Sequence, residues 1–348
     1  MSDDPPVNRP RRRVRYRGKN PRRFEEKYKE RDPSRYPDTV ASVVASGKTP
    51  AGSHRPIMVA EVLEVLAPKP GEIAVDATLG YGGHAREILP CLHPGGRLLG
   101  LDADPIELPK TEARLRALGF DERSFTAHRT NFAGLPQLLA RMEIAGADLI
   151  LADLGVSSMQ LDDPRRGFAL KLEGPLDLRM NPDRGSPASL LLEKLSPEKL
   201  GRLLSENSDM SHPALAASLA GRKFPTTRAL AEAVRAALPS LKEAERELSV
   251  RLVFQALRIA VNDEFAALDT FLRNLAGCLN PGARVAILTF HSGEDRRVKK
   301  AFEAGLREGH YAKIANEVVR PGPEERRANP RAASAKLRWA RVGSSREN

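Results

Sequence analysis

The chain has few cysteines: only Cys91 and Cys278 occur among its 348 residues. Two cysteines cannot form a disulfide framework or a cysteine-rich zinc site, and the 7 histidines show no zinc-binding spacing. No stretch approaches the roughly 18 consecutive apolar residues of a membrane span, and the first 20 residues lack the apolar segment of a secretory signal. We therefore predict a cytoplasmic protein that binds no metal and no membrane.

Positive charge is concentrated at the two ends of the chain. The net charge is +11, with 13 Lys and Arg against 6 Asp and Glu in residues 1–35, and 8 against 3 in residues 318–348. The middle of the chain is close to neutral, and basic arms on a neutral globule are typical of nucleic-acid binding. The alternative is a solvated tail that serves only solubility. Residues 1–45 are rich in Arg and Pro and poor in large aliphatic residues, so we predict a disordered basic arm there.

Strand-like and helix-like segments alternate through residues 54–158. A helical pattern at 54–68 precedes strand-like runs, each followed by a helix or an exit loop, at 72–80, 96–104, 124–132 and 147–158. Such alternation predicts βαβ units and a parallel sheet. Residues 160–250 show helical patterns without a good strand, with Thr226 or Thr227 as an N-cap, and strand patterns return at 283–290 and 334–342. We predict an α/β fold with a mostly parallel, doubly wound sheet and an all-helical insert.

A glycine-rich turn follows the first predicted strand, in the run DATLGYGGH at 76–84. Glycines at 80, 82 and 83 let the backbone approach a ligand closely, and the next helix offers a positive N-terminus. The spacing of Gly80, Gly82 and Ala85 also matches the loose dinucleotide fingerprint, so NAD is an alternative ligand.

Two acidic residues distinguish these ligands. Asp102 ends the second strand, 18 residues after His84, where a carboxylate accepts hydrogen bonds from the ribose hydroxyls of either cofactor. Asp76 ends the first strand, directly before the glycines. Its carboxylate would repel a pyrophosphate but suits the cationic amino-acid end of S-adenosyl-L-methionine. We therefore favour S-adenosyl-L-methionine over NAD.

Asp153 and His291 follow two further predicted strands. Ligands of open α/β sheets bind at the carboxyl ends of the strands, and both residues are expected there. We predict that Asp153 polarises an amine and that His291 binds or orients a base. The structural alternatives are a loop cap for Asp153 and a histidine bonded to loop backbone for His291.

An irregular segment at 165–180 fits neither the helical nor the strand period, and such segments in compact domains are often functional. Its adjacent Arg165 and Arg166 suit phosphate binding or pairing with internal acids. Phe168 is a candidate for stacking on a base, and a core position is the alternative.

Several of these runs together carry a resemblance to a known family. They are HRPIMVAEVL, VDATLGYGGH, GRLLGLDADP, LILADLGVSSMQLDDPRRGFAL, GPLDLRM, FQALRIAVNDE, FHSGEDRRVK and NPRAASAKLR, in this order over residues 54–342. On these motifs the chain resembles the RsmH (MraW) family of small-subunit ribosomal RNA (cytosine-N4)-methyltransferases. The resemblance implies a Rossmann-like class I methyltransferase core over 46–160 and 258–345, with the helical insert as a substrate-side domain over 161–257.

The resemblance also implies the reaction and the site. It implies methyl transfer from S-adenosyl-L-methionine to the N4 amine of a cytidine in the decoding region, with small-subunit ribosomal RNA or the assembled subunit as partner. A homodimer is one assembly that we consider. The alternatives are an amino methyltransferase with another RNA or DNA target and a binding-only ribosome-assembly factor. Members of the family usually have Leu where this chain has Gly293. The implied cofactor-binding residues are Gly82, Gly83, His84, Asp102, Phe132, Asp153 and Gln160.

Overall fold

The computed structural model describes residues 56–170 and 172–344. These residues belong to one unit that spans His54–Asn348. The predicted basic arm at 1–45 lies outside the described residues.

Helices and strands alternate in the first half, as the sequence pattern predicts. Each predicted strand is present, although it is shorter than its apolar run. The elements are α1 Val59–Leu66, β1 Ile73–Asp76, α2 Gly83–Leu92, β2 Arg97–Asp102, α3 Leu108–Ala117, β3 Phe125–Arg129, α4 Leu135–Arg141, β4 Ala147–Asp153 and α5 Ser158–Asp162.

The second half contains the helical region and then the remaining strands. Its helices are α6 Ala188–Lys194, α7 Pro197–Ser208, α8 Pro213–Leu219, α9 Thr227–Ala237, α10 Glu243–Val261 and α11 Glu264–Asn274. The chain then forms β5 Leu279–Thr289, α12 Ser292–Arg307, β6 Lys313–Ile314, α13 Pro323–Ala328 and β7 Lys336–Arg341.

The strands of the described residues form one sheet in the order β3-β2-β1-β4-β5-β7-β6. Strands β1 to β5 run parallel, whereas β7 is antiparallel to both β5 and β6. The strand order reverses between β1 and β4, because β1 pairs with β2 on one side and with β4 on the other. The prediction of a mostly parallel, doubly wound sheet is confirmed. This reversal opens the crevice where ligands of such folds bind.

Both faces of the sheet are buried, because successive side chains of a strand point to opposite faces. One face packs against α4, α11 and α12, and the other against α1, α2 and α3. The first face includes Val75, Leu99, Ile150 and Val285. The second face includes their sequence neighbours Ala74, Leu98, Leu149 and Ala286. Burial on both sides explains why these strands appear in the sequence as continuous apolar runs.

Helices α6 to α10 enclose a hydrophobic cluster of their own, which includes Leu204, Leu215, Leu230 and Val253. Thr226 is the N-cap of α9, since its side chain accepts a hydrogen bond from the Ala229 N–H. We predicted that the insert ends at residue 257, and helix α10 continues across this position to Val261. The division into a core and a separate insert domain stays a prediction.

Candidate active site

Three carboxylates lie at the ends of neighbouring parallel strands. Asp76, Asp102 and Asp153 are the last residues of β1, β2 and β4. Thr78 connects two of them: its N–H donates to Asp76 Oδ1 at 3.1 Å, and its Oγ1 accepts from the Asp153 N–H at 2.6 Å. The Asp102 carboxylate accepts from the N–H groups of Gly80 and Asp104, each at 2.8 Å. The structure thus brings together the acids that the sequence placed at separate strand ends.

Burial makes these carboxyl groups difficult to ionise. It raises the pKa of Asp76 and of Asp102 to about 6, and with the nearby Glu294 carboxylate it raises the pKa of Asp153 to about 7. No Lys or Arg side chain in the described part of the chain forms an ion pair with any of the three. Near neutral pH this edge therefore carries negative charge that a cationic ligand would stabilise.

His84 lies between the carboxylates and helix α1. Its Nε2 is 2.9 Å from the Ile57 carbonyl oxygen, and its Nδ1 is 3.7 Å from Asp153 Oδ2. Burial lowers the pKa of His84, although the Asp76 carboxylate opposes this effect. The ring is therefore neutral near pH 7, with its proton on Nε2 toward the carbonyl and its Nδ1 lone pair toward Asp153.

The glycines of the turn satisfy packing requirements of the chain itself. Gly82 has a φ of +79°, and a Cβ on it would lie 2.9 Å from Thr111 Cγ2. A Cβ on Gly83 would lie 3.0 Å from Pro56 Cγ. Side chains of this chain thus fill the space that a Cβ would need at either position, and the close approach of a ligand to the backbone stays a prediction. Helix α2 begins at Gly83, so its N-terminus lies next to the carboxylates.

Gln160 and Arg166 converge on a fully buried carboxylate, that of Asp104. Gln160 Nε2 donates to Asp104 Oδ2 at 2.9 Å, and Arg166 Nη1 donates to the same oxygen at 2.8 Å. Gln160 Oε1 accepts from the Ser157 N–H, which completes a capping box on α5. Gln160, a predicted cofactor residue, is therefore connected to Asp102 through Asp104, which bonds to both.

The other residues of the irregular segment have structural partners. Of the two interpretations of the adjacent arginines, the structure shows internal pairing: Arg165 pairs with Asp163 at 2.7 Å, and buried Arg166 pairs with Asp104. Phe168 is 6% exposed and belongs to the hydrophobic cluster of the helical region, so it has the core position that was the alternative to base stacking. Phe132 is half-buried and packs edge-on against Phe271 at 5.4 Å between ring centroids.

His291 directly precedes α12 at the same edge of the sheet. Its Nε2 lies 3.0 Å from Glu294 Oε1, and Glu294 also accepts a hydrogen bond from the Phe290 N–H at 2.8 Å. Burial alone would raise the pKa of Glu294, but His291, Arg258 and the Phe290 N–H together lower it. Glu294 was not among the residues predicted from the sequence. Its spacing of three residues from His291, in the first turn of a helix, was the available signal.

Gly293 supports the position of His291, and we expect Gly293→Ala to disturb it. The added Cβ would lie 2.6 Å from Phe265 Cζ and 3.2 Å from His291 Nδ1, so at least one ring must move. We expect a loss of about 1–3 kcal/mol in the free energy of unfolding. Methyl-transfer activity should fall as well.

The matched control is Gly277→Ala, because a Cβ there would meet no atom within 4 Å. Urea unfolding and a transfer assay on both variants provide the measurement. Equal behaviour of the two variants would show that the contact with Phe265 and His291 is unimportant.

The doubly wound sheet, its glycine-rich turn after β1 and the acids ending β1, β2 and β4 define a Rossmann-like class I methyltransferase. Residues 51–342 match the MraW methylase family, and the chain belongs to that family.

Two curated relatives illustrate the similarity. The chain is 47% identical over 340 residues to "Ribosomal RNA small subunit methyltransferase H 1" of Lachnoclostridium phytofermentans, covering 94% of this chain and 92% of the relative. It is 48% identical over 339 residues to "Ribosomal RNA small subunit methyltransferase H 2" of Alkaliphilus metalliredigens, covering 94% and 97%.

Residues 56–170 and 172–344 contain no helix with the length and apolar character needed to cross a membrane. Within the same residues, no group of three or more His, Cys, Asp or Glu side chains is arranged to hold a metal ion.

Proposed function

We propose that this chain transfers a methyl group from S-adenosyl-L-methionine to the N4 amine of a cytidine in the decoding region of small-subunit ribosomal RNA. The observation that carries the chemistry is the Asp153 carboxylate. Its Oδ1 is buried and has no hydrogen-bond partner among the described residues, while the side chain as a whole keeps 28% exposure. The names of the relatives, which specify small-subunit ribosomal RNA, support the substrate class.

The residues at the carboxyl edge of the sheet fit the cofactor. S-adenosyl-L-methionine carries an ammonium and a sulfonium, which complement three carboxyl groups that lack Lys or Arg partners in the described part of the chain. In this proposal Asp102 accepts from the ribose hydroxyls and Asp76 faces the amino-acid end. The further contacts come from Gly82, Gly83, His84, Phe132, Asp153 and Gln160.

Gln160 keeps capacity for such a contact despite its two bonds within the protein. A side-chain amide offers two N–H donors and a carbonyl with two lone pairs. The bonds to Asp104 and Ser157 occupy one N–H and one lone pair. One donor and one acceptor position remain for a ligand.

The chemistry requires mainly positioning of a weak nucleophile. When bound, S-adenosyl-L-methionine supplies an electrophilic methyl group on its sulfonium. The N4 amine of cytosine is a poor nucleophile because its lone pair is delocalised into the ring. Asp153 Oδ1 accepts a hydrogen bond from N4–H, which favours a pyramidal amine and orients its lone pair. The proton released after transfer passes to the Asp153 carboxylate or to water.

In this proposal both His84 and His291 assist Asp153. The His84 Nδ1 lone pair faces Asp153 Oδ2, which favours the protonated form of the carboxyl group after transfer. His291 orients the base and is itself positioned by Glu294. The target cytidine must be unstacked to reach this edge.

The experiment that tests the proposal is transfer from labelled S-adenosyl-L-methionine to small ribosomal subunits that lack the modification, with identification of the product nucleoside. N4-methylcytidine is the expected product. A different methylated nucleoside would favour an amino methyltransferase with another target, and cofactor binding without transfer would favour a binding-only assembly factor. We place the activity in the cytoplasm, where two free thiols, Cys91 and Cys278, remain reduced.

Asp102→Asn is expected to weaken cofactor binding by about 10-fold to 100-fold, because hydrogen bonds to a charged group contribute about 1.5–3 kcal/mol. Asn keeps the size of the side chain and one oxygen for the Gly80 N–H. Calorimetric titration with S-adenosyl-L-methionine measures the effect. The control is Asp121→Asn, an exposed acid in the turn before β3 at the opposite edge of the sheet. An unchanged affinity in Asp102→Asn would remove Asp102 from the cofactor site.

A further inference from the structure

We propose that residues 320–331, here called the arginine segment, contact phosphates of the RNA substrate beside the active site. The contacts are made by Arg320, Arg326 and Arg327. The inference rests on the proposed function, since it assumes an RNA substrate, and it assigns a binding role to residues that the reaction itself does not use. The segment includes helix α13 and the loops on either side of it.

The arginine segment is attached at one point to the histidine side of the site. The Met58 N–H donates to Glu325 Oε1 at 2.8 Å. The preceding residue, Ile57, provides the carbonyl that contacts His84 Nε2 at 2.9 Å. Helix α13 is therefore bonded to Met58, which directly follows the residue whose carbonyl contacts the His84 ring.

A second attachment joins the segment to the exit of β4. The Arg331 guanidinium donates to Asp162 Oδ1 at 3.1 Å and to the Ser158 hydroxyl. Ser158 and Asp162 are the first and last residues of α5, which follows the loop that leaves Asp153. The two attachments join the segment to Met58, next to the residue that contacts His84, and to helix α5, which follows the loop after Asp153.

Three charges of the segment have no partner in the described part of the chain. Arg320, Arg326 and Arg327 are exposed, and their side chains make no ion pair or hydrogen bond with the described residues. Glu325 is already bonded to the Met58 N–H, which leaves Glu324 as the remaining acid between 320 and 331.

Helix α12 also carries basic residues, and three of them are paired. There Arg296 pairs with Asp209, Arg297 with Asp269 and Lys299 with Glu303. The adjacent guanidinium groups of Arg326 and Arg327, unpaired among the described residues, repel one another, and a polyanion relieves that repulsion. Arginine also matches phosphate oxygens with two parallel hydrogen bonds, which favours an RNA backbone as the partner.

The test uses the full-length chain and the double variant Arg326→Gln/Arg327→Gln. Binding of labelled small-subunit ribosomal RNA is measured by fluorescence anisotropy over a range of salt concentrations. Loss of two phosphate contacts should lower the slope of log affinity against log salt by about 1.5. It should also weaken binding by roughly tenfold near physiological salt. In the transfer assay KM for RNA should rise by a similar factor, whereas kcat and cofactor affinity should not change.

The matched control is Lys69→Gln/Arg123→Gln, which removes the same charge. Both residues are exposed and precede β1 and β3, so they lie at the amino edge of the sheet, away from the carboxylates. The control should leave the salt slope near that of the wild type. Thermal unfolding of both double variants verifies that these surface changes leave the fold intact.

The outcomes separate this inference from the proposed function. If the wild type binds RNA without methylating it, the proposed function fails, and the salt slopes of the variants still decide the inference. An Arg326→Gln/Arg327→Gln variant with wild-type slope and affinity overturns the inference even where methyl transfer is normal. Equal effects of the two double variants also overturn it, because they would reflect net charge alone. A wild type that binds no RNA overturns both.

Discussion

Asp153→Asn is expected to lower kcat for methyl transfer by about 100-fold to 10,000-fold, the range typical of losing a group that handles a proton or polarises the nucleophile. Asn occupies the same space as Asp and keeps its backbone N–H bonded to Thr78 Oγ1. It retains an oxygen acceptor but has no negative charge to stabilise positive charge on the attacking amine. Single-turnover transfer from labelled cofactor, at saturating RNA, measures this step directly.

Two controls isolate the chemical role of Asp153. Cofactor affinity must be measured in parallel, since Asp153 is also a predicted cofactor contact. A change confined to kcat assigns the carboxylate to the reaction. Asp269 on α11 pairs with Arg297 on α12. Asp269→Asn removes this acid and should leave kcat near the wild-type value. If Asp153→Asn keeps more than about a tenth of wild-type kcat, the polarising role assigned to Asp153 is wrong.

The pKa of Asp153 also predicts the pH dependence of the reaction. Burial and Glu294 raise that pKa to about 7, so at lower pH the carboxyl group is protonated and has no negative charge to stabilise positive charge on the attacking amine. We expect kcat/KM to increase about tenfold per pH unit between pH 6 and pH 7, more steeply below pH 6, where Asp76 and Asp102 are protonated as well, and to level off above pH 7. Asp76, His84 and Glu294 are the charged or titratable groups that face Asp153.

A bound cationic cofactor shifts this profile in a defined direction. Its positive charge favours the ionised carboxylate and lowers the pKa of Asp153 in the complex. The profile of kcat should therefore turn down at a lower pH than that of kcat/KM. A rate that is flat between pH 5 and pH 8 would contradict a required Asp153 carboxylate.

The sheet and its acidic edge were predictable because their causes are local. Strands buried on both faces appear as short apolar runs, and residues that follow such runs must lie at the carboxyl edge of a parallel sheet. Asp76, Asp102 and Asp153 could thus be brought together from sequence. The N-cap of α9 was predictable to within one residue for a similar reason, since the side chain of Thr226 bonds three residues ahead.

Tertiary contacts between distant segments account for what the sequence did not indicate. Arg166 and Asp104 are 62 residues apart, and no periodic pattern relates them. No sequence pattern indicated that Thr111 and Pro56 would lie where a Cβ on Gly82 or Gly83 would need space, because these contacts join distant segments. Glu294 was overlooked because a glutamate in the first turn of a helix ordinarily has a sufficient explanation in the helix dipole.

Arg166→Met is expected to lower the free energy of unfolding by about 3–5 kcal/mol, because removing one partner of a buried ion pair leaves an uncompensated charge. Asp104 is fully buried and Arg166 has 6% exposure. Arg166 Nη2 also donates to the carbonyl oxygens of Arg179 and Met180, at 3.2 Å and 2.8 Å. The Arg166 guanidinium therefore joins the irregular segment to Asp104, whose N–H bonds to Asp102. Cofactor affinity should for this reason fall along with stability.

The neighbouring arginine is the matched control. Arg165 is 77% exposed and pairs with Asp163, so Arg165→Met should cost less than about 1 kcal/mol. Urea unfolding of both variants gives the comparison, and equal losses would show that burial of the Arg166 pair is unimportant. The double variant Asp104→Asn/Arg166→Met then identifies the cause. It should recover part of the stability lost in Arg166→Met, because the buried position no longer carries a charge. No recovery would assign the loss to the bonds with Arg179 and Met180 instead.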